Sequence, residues 1–179
     1  TLTGALTGSG ALTKAGTGLL TLSAANTYSG GTTLSAGTLQ ITGSITGNIT
    51  NHGTVTLNRP DDYTFGGVIS GTGGLTQNGN ILRLSSAQTY TGPTSITAGY
   101  LILPSTVNQG LSASTSVNVA AGAVLDLSNR SQTIAGLSGS GVVYSLGGSA
   151  GQLTVNTAAN APSAFAGNLG STSPDFSLT

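Results

Sequence analysis

The sequence has no cysteine, no methionine and no tryptophan, a single histidine, and no glutamate; its four carboxylates are Asp61, Asp62, Asp126 and Asp175. Without cysteine there is no disulfide and no thiolate ligand, and one imidazole does not make a zinc site. Charge is nearly missing, at 4% of residues, with Lys+Arg 4 balancing Asp+Glu 4. A nucleic-acid partner calls for a basic footprint, so none is expected, and the same balance gives no attraction to an anionic lipid surface. No stretch approaches the roughly 18 consecutive apolar residues of a membrane helix, so direct membrane insertion of this segment is not expected. The opening TLTGALTGSG lacks the basic start and apolar run of a secretory signal, which places any such signal upstream.

What the chain does have is glycine, 29 residues of it, with threonine, serine, alanine, leucine and asparagine making up most of the remainder. At 37% hydrophobic and a mean hydropathy of +0.21 it is too apolar for a disordered chain, and 179 residues suffice for a real core. Residues 8–41 return as residues 71–103 with the same order of glycines, leucines, tyrosine and threonines. Leu12 and Leu75 lie 63 positions apart but Tyr28 and Tyr90 only 62, so the second copy lacks one residue, most simply Gly18. Self-similarity at long period points to stacked units, each covering the next.

Alternating triplets recur throughout: Leu20–Thr21–Leu22, Leu39–Gln40–Ile41, Val55–Thr56–Leu57, Leu82–Arg83–Leu84, Leu101–Ile102–Leu103, Leu125–Asp126–Leu127 and Leu153–Thr154–Val155. Apolar–other–apolar is the period of a strand, no segment holds apolar residues at helical spacing over ten positions, and glycine interrupts nearly every window that long. The triplets are spaced by about 22 residues on average, one coil of a β-solenoid, whereas a sandwich would show turn signals every 8–12 residues. The sequence therefore predicts an all-β chain forming a parallel β-helix of about 8 coils, a single solenoid segment over residues 1–179. Leu, Ile and Val fill the interior; Thr and Ser face water; Gly16, Gly37, Gly53, Gly79, Gly99 and Gly122 mark corners. The irregular segments 106–121 and 157–173 are expected to be outward loops.

The stretch LTKAGTGLLTLSAANTYSGGTTLSAGTLQI resembles the passenger-associated transport repeat of Gram-negative autotransporters (type V secretion passengers). Its Gly-x-Gly opening falls on Gly8 and Gly10, its Leu-Thr-Lys on Leu12 to Lys14, and its second Gly-x-Gly on Gly16 and Gly18. The Asn-Thr-Tyr-x-Gly-x-Thr turn spans Asn26 to Thr32, and the closing Ala-Gly-Thr-Leu spans Ala36 to Leu39. The second copy is drifted, with Gln77 for the lysine, Gln88 for the asparagine and Tyr100 for the threonine. A degenerate third copy, about 139–169, keeps Leu153 to Asn156, Asn160 and Phe165 to Gly167. The resemblance implies a right-handed coil, secretion to the bacterial outer surface, and a C-terminal membrane barrel outside this sequence. It carries no catalytic, cofactor-binding or metal-binding residues. The closing FSLT resembles GALT at residues 10–13, so a fragment of a longer passenger is expected.

Candidate chemistry is sparse. Gly147 to Gly151 fits G-x-S-x-G, but that motif needs a following helix and a later histidine, and His52 lies upstream in an Asn-His-Gly turn. Asp61 and Asp62 read as a solvated loop tip, and Asp126, between two inward leucines, is expected to face out. Asn48-Ile49-Thr50 and Asn129-Arg130-Ser131 fit glycosylation sequons. Tyr28 and Tyr90 share a repeat position, which favours packing at a corner over a sugar-binding stack. No enzyme activity and no cofactor are expected. The leading expectation is a rigid stalk or adhesive, self-associating shaft touching like faces, glycans or a host surface. An end-to-end filament, an ice-binding face, and a scaffold for an enzyme elsewhere in the polypeptide are the alternatives.

Overall fold

The structure is a computed structural model, and it describes residues 1–146, 151–157, 164–171 and 177–178. Among the described residues there is no helix, and every strand pairing is parallel. The chain winds as a β-solenoid of about seven turns with three faces. Face one holds Leu12–Lys14, Thr32–Leu34, Ile49–Asn51 and Ile69–Ser70, and is resumed by Ser131–Ile134, Gln152–Val155 and Ser177–Leu178. Face two holds Leu19–Leu22, Thr38–Ile41, Thr54–Leu57, Ser116–Val119 and Gly136–Gly139. Face three holds Tyr63–Phe65, Val124–Asp126, Val142–Ser145 and Asn168–Ser171. The long strands Gly74–Leu84 and Thr94–Ile102 each turn one corner, lying on face two at their starts and on face three at their ends.

The core consists of columns, because parallel in-register pairing places one coil's side chain above the last. Leu22, Ile41, Leu57, Gln77, Ile96 and Val119 form one, linked pair by pair through the register of face two. Leu82, Leu101, Leu125 and Val143 form another on face three. All of these residues are buried. The solenoid has about seven turns, and coil length varies: Leu39 to Val55 advances 16 residues, Val143 to Leu169 advances 26.

Glycine serves the corners in two ways. Gly37 and Gly99 occupy the same place in the two repeat copies, and both have positive φ, 75° and 65°. Gly53 and Gly79 lack positive φ and are needed for close approach instead, since a Cβ on either would collide with a carbonyl of the coil below, Gly37 or Arg59.

Three expectations need correction. Thr32, Thr94, Thr115 and Ser145 are buried rather than facing water, because each hydroxyl finds an internal partner. Segments 106–121 and 157–173 are not wholly loop: Ser116–Val119 joins face two and Asn168–Ser171 joins face three. Asp126 is also buried, because Ser128 and Asn129, with φ of 52° and 61°, fold a turn back over it.

The two repeat copies also lie out of phase with the coil. Leu12–Lys14 is on face one, whereas its counterpart, Leu75 to Gln77, is on face two. One repeat therefore advances three turns and one face.

Candidate functional site

In each copy four polar residues of the repeat point inward, Lys14, Asn26, Tyr28 and Thr32 in the first and Gln77, Gln88, Tyr90 and Thr94 in the second, whereas Thr13, Thr27 and Thr89 are exposed. Asn26 is buried at a corner where the backbone ladder breaks. Its Oδ1 accepts the Leu6 amide at 2.9 Å, and its Nδ2 donates to the carbonyls of Ala24 and Ser44 at 2.8 and 3.0 Å. Gln88, its counterpart, accepts from Ile69 N at 2.7 Å and donates to Gly67 O and Ser86 O at 3.3 and 2.6 Å. Gln132 does the same for Leu111, accepting its amide and donating to its carbonyl. Each amide satisfies backbone groups that would otherwise be buried and unpaired.

The tyrosines follow suit. Tyr28 Oη lies 2.5 Å from Thr32 Oγ1 and Tyr90 Oη 2.6 Å from Thr94 Oγ1, the same pair in each copy. Burial raises both phenols' pKa above the ordinary value. Tyr90 is 0% exposed and Phe65 2%, and Tyr63 is anchored through its hydroxyl to Ile45 O at 2.8 Å, leaving Tyr100 as the exposed aromatic of those weighed as a sugar stack. Lys14 is buried too, its ammonium donating to the carbonyls of Ala15, Gly16 and Ala36 at 2.7–3.1 Å. Gln77 replaces it with one bond to Asn80 O.

Half of the chain's eight formally charged residues gather at one edge, on the loop after Thr54–Leu57 and the strand beside it. Arg59 pairs with Asp61 at 2.8 Å, lies 4.7 Å over the Tyr63 ring and donates to Gly43 O. Its hydrogen bond holds the Asp61 carboxyl below the usual range. Asp62 accepts from Asn80 at 3.1 Å and pairs with Arg83 at 3.4 Å. The loop tip is thus ion-paired and tied to three coils. Beside it a shallow groove of about 300 Å³ runs between Thr64, Arg83 and Ile102 and the loop Pro104 to Thr106.

Other singled-out residues stay apart. His52 is exposed, its Nδ1 3.1 Å from Thr72 Oγ1. Asp126 accepts from Ser128 N and Leu146 N. Among the described residues no three of His, Cys, Asp or Glu come together. Residues 147–150 of the G-x-S-x-G match, Asn160 and Asp175 lie outside the described residues.

Outside, face two carries a continuous ladder: Thr21, Gln40, Thr56, Thr76, Ser95, Asn118 and Ser138, each in register with the next. Every rung is an uncharged hydrogen-bonding side chain. Bonds tie the end rungs, Thr21 Oγ1 to Gln40 Oε1 at 3.4 Å and Asn118 Nδ2 to Ser138 Oγ at 3.0 Å. Repeat position does not predict this ladder, since its rungs come from different positions of the repeat.

A coil-building motif that recurs twice and points inward is the signature of a particular repeat. Residues 12–41 and 75–103 match the passenger-associated-transport-repeat family. The two matches cover about a third of the chain, and this repeat family is associated with secreted autotransporter passengers and with the β-solenoid fold. Neither a curated protein nor a solved structure matches the chain. Within each match to the passenger-associated-transport-repeat lie the inward polar residues just described: Lys14, Asn26, Tyr28 and Thr32 in the first, Gln77, Gln88, Tyr90 and Thr94 in the second.

Proposed function

We propose that the chain is a non-catalytic structural segment of a secreted passenger displayed at the bacterial outer surface, acting as a stiff stalk whose sides are adhesive and self-associating. The observation that carries this reading is where the repeat's polar residues go. Asn26, Gln88, Tyr28, Tyr90 and Lys14 are used up inside the coil, satisfying the backbone at corners, so the recurring motif makes a rod rather than a recurring receptor site. Continuous parallel pairing from Leu19–Leu22 to Asn168–Ser171 makes that rod a single stacked unit.

Its sides support contact with like rods. Only eight residues are formally charged, and Lys14 and Asp126 among them are buried, so neighbouring rods repel little. The remaining surface offers hydroxyls and amides, which can bond to like faces or to glycans.

The test is on whole cells. Deleting this segment from the polypeptide that contains it should reduce cell clumping and attachment while leaving export of the remainder intact. Unchanged clumping and attachment would refute the adhesive shaft. Recovering the intact polypeptide only from the medium, with none on washed cells, would refute surface display.

A further inference from the structure

The outer ladder of face two has an internal symmetry. Over its seven strand-paired rungs, Thr21, Gln40, Thr56, Thr76, Ser95, Asn118 and Ser138, it reads the same in both directions: hydroxyl, amide, hydroxyl, hydroxyl, hydroxyl, amide, hydroxyl. We propose that face two is a homotypic docking surface, on which two copies lie antiparallel about a two-fold axis running along the strand at Gly74 to Thr76. This rests on the self-associating reading above and names its surface.

An isologous contact requires that residue i meet residue j and j meet i. The ladder meets that condition at every rung: Thr21 opposite Ser138, Gln40 opposite Asn118, Thr56 opposite Ser95, and Thr76 opposite itself. The column beside it agrees. It runs Leu19, Thr38, Thr54, Gly74 at one end and Ser116, Gly136 at the other. The same axis brings Thr38 to Ser116.

The middle rungs are also the ones with free capacity. Thr56, Thr76 and Ser95 make no side-chain hydrogen bond among the described residues, whereas both end pairs are bonded along the ladder. Face three offers nothing comparable, since its outward column of Thr64, Arg83, Ile102, Asp126 and Tyr144 has Arg83 held by Asp62 and Asp126 buried.

Six layer spacings of about 4.8 Å and a strand width of about 13 Å give a face of roughly 400 Å² per copy. That is about half the area a partner contributes to a standard stable interface. One pair is therefore weak, and strength comes from many rods meeting at once.

The absence of cysteine makes the test direct. Single cysteines are introduced and treated with a short bis-maleimide, with sedimentation of the unaltered chain in parallel. Thr76→Cys should give a dimer of twice the 17.3 kDa chain mass. Thr21→Cys alone should give about tenfold less, because in the docked pair the two sites lie at opposite ends, and mixing Thr21→Cys with Ser138→Cys should restore the yield. Should Thr76→Cys fail to fold, the mixture of Thr56→Cys and Ser95→Cys reads the same axis. Efficient self-linking of Thr21→Cys would mean a parallel pair and would overturn the proposal. A concentration-dependent dimer that links through Thr50→Cys on face one, and not through Thr76→Cys, would overturn it while leaving self-association standing. A monomer at every concentration would remove both.

Discussion

The pair Tyr90–Thr94 gives the sharpest test of what holds a coil corner. Tyr90 is fully buried, its hydroxyl 2.6 Å from Thr94 Oγ1. Thr94 Oγ1 lies 3.2 Å from Thr115 Oγ1, which in turn donates to Gly92 O at 2.5 Å. Tyr90→Phe removes the end of this chain and leaves no orphan, since Thr94 keeps Thr115. Its cost should be that of one net hydrogen bond, about 1 kcal/mol. Thr94→Val breaks the chain in the middle. Thr115 retains Gly92, but the Tyr90 hydroxyl is stranded in an apolar interior, so the cost should rise to about 2–3 kcal/mol. The double variant replaces both partners with apolar groups of the same shape and should cost less than Thr94→Val alone.

Urea unfolding followed by far-ultraviolet circular dichroism measures the three midpoints, and a coincident slope shows that the same surface is exposed in each. In a chain of this size each kcal/mol corresponds to about 2–4 °C in Tm. The reasoning is refuted if Tyr90→Phe costs as much as Thr94→Val, or if the double variant costs the sum of the singles, because either would mean that the hydroxyls do not act as a chain.

Gln88→Leu should be worse than either single change, at about 3 kcal/mol or more, because it strands Ile69 N, Gly67 O and Ser86 O together; thermal unfolding reads it directly. Lys14→Gln should be tolerated, as Gln77 fills the same repeat position, while Lys14→Leu should lower Tm by several degrees through loss of three carbonyl contacts. Gly37→Ala should cost more than about 1 kcal/mol in the same assay, since it combines positive φ with a collision against the Thr17 and Gly18 backbone. Burial raises the pKa of Tyr28, Tyr63 and Tyr90 in the folded state, so the unfolded chain loses these protons first as pH rises. Stability should be full below about pH 10 and fall above it, and Tyr90→Phe should flatten that fall in a urea titration.

The fold was legible because the signal for it is repetitive. Triplets such as Leu39–Gln40–Ile41 declare strands, and the 62- to 63-residue self-similarity declares stacking. Burial of Thr94 and Asp126 was not legible, because alternation assigns a side chain to a side of the strand and says nothing about what lies above it. Thr94 alternates inward with Ile96, and Asp126, on the outward side, is covered by its own turn. The structural role of Asn26 could have been inferred from Gln88, since two amides at one repeat position, differing in length, indicate a hydrogen-bonding duty rather than a shape. The ladder on face two was hidden for a different reason. Its rungs pair across coils of 16 to 23 residues, so only the register brings them together.

That register also explains why the repeat's own motif makes no periodic surface. Thr32, four residues after Tyr28, lies on face one, and Thr94, four residues after Tyr90, lies on face two. A repeat that advances three turns and one face cannot present its residues to one partner along one side of the rod. It can build a corner wherever it lands, because the capping amide, the Tyr–Thr bond and the Ala-Gly step act on neighbouring backbone and not on a fixed face. Phase-independent corners leave the outer faces free to vary, and side chains there become aligned only through coil stacking. In the proposed shaft, contact specificity therefore belongs to the columns, and the motif that recurs in sequence builds the corners on which those columns stack.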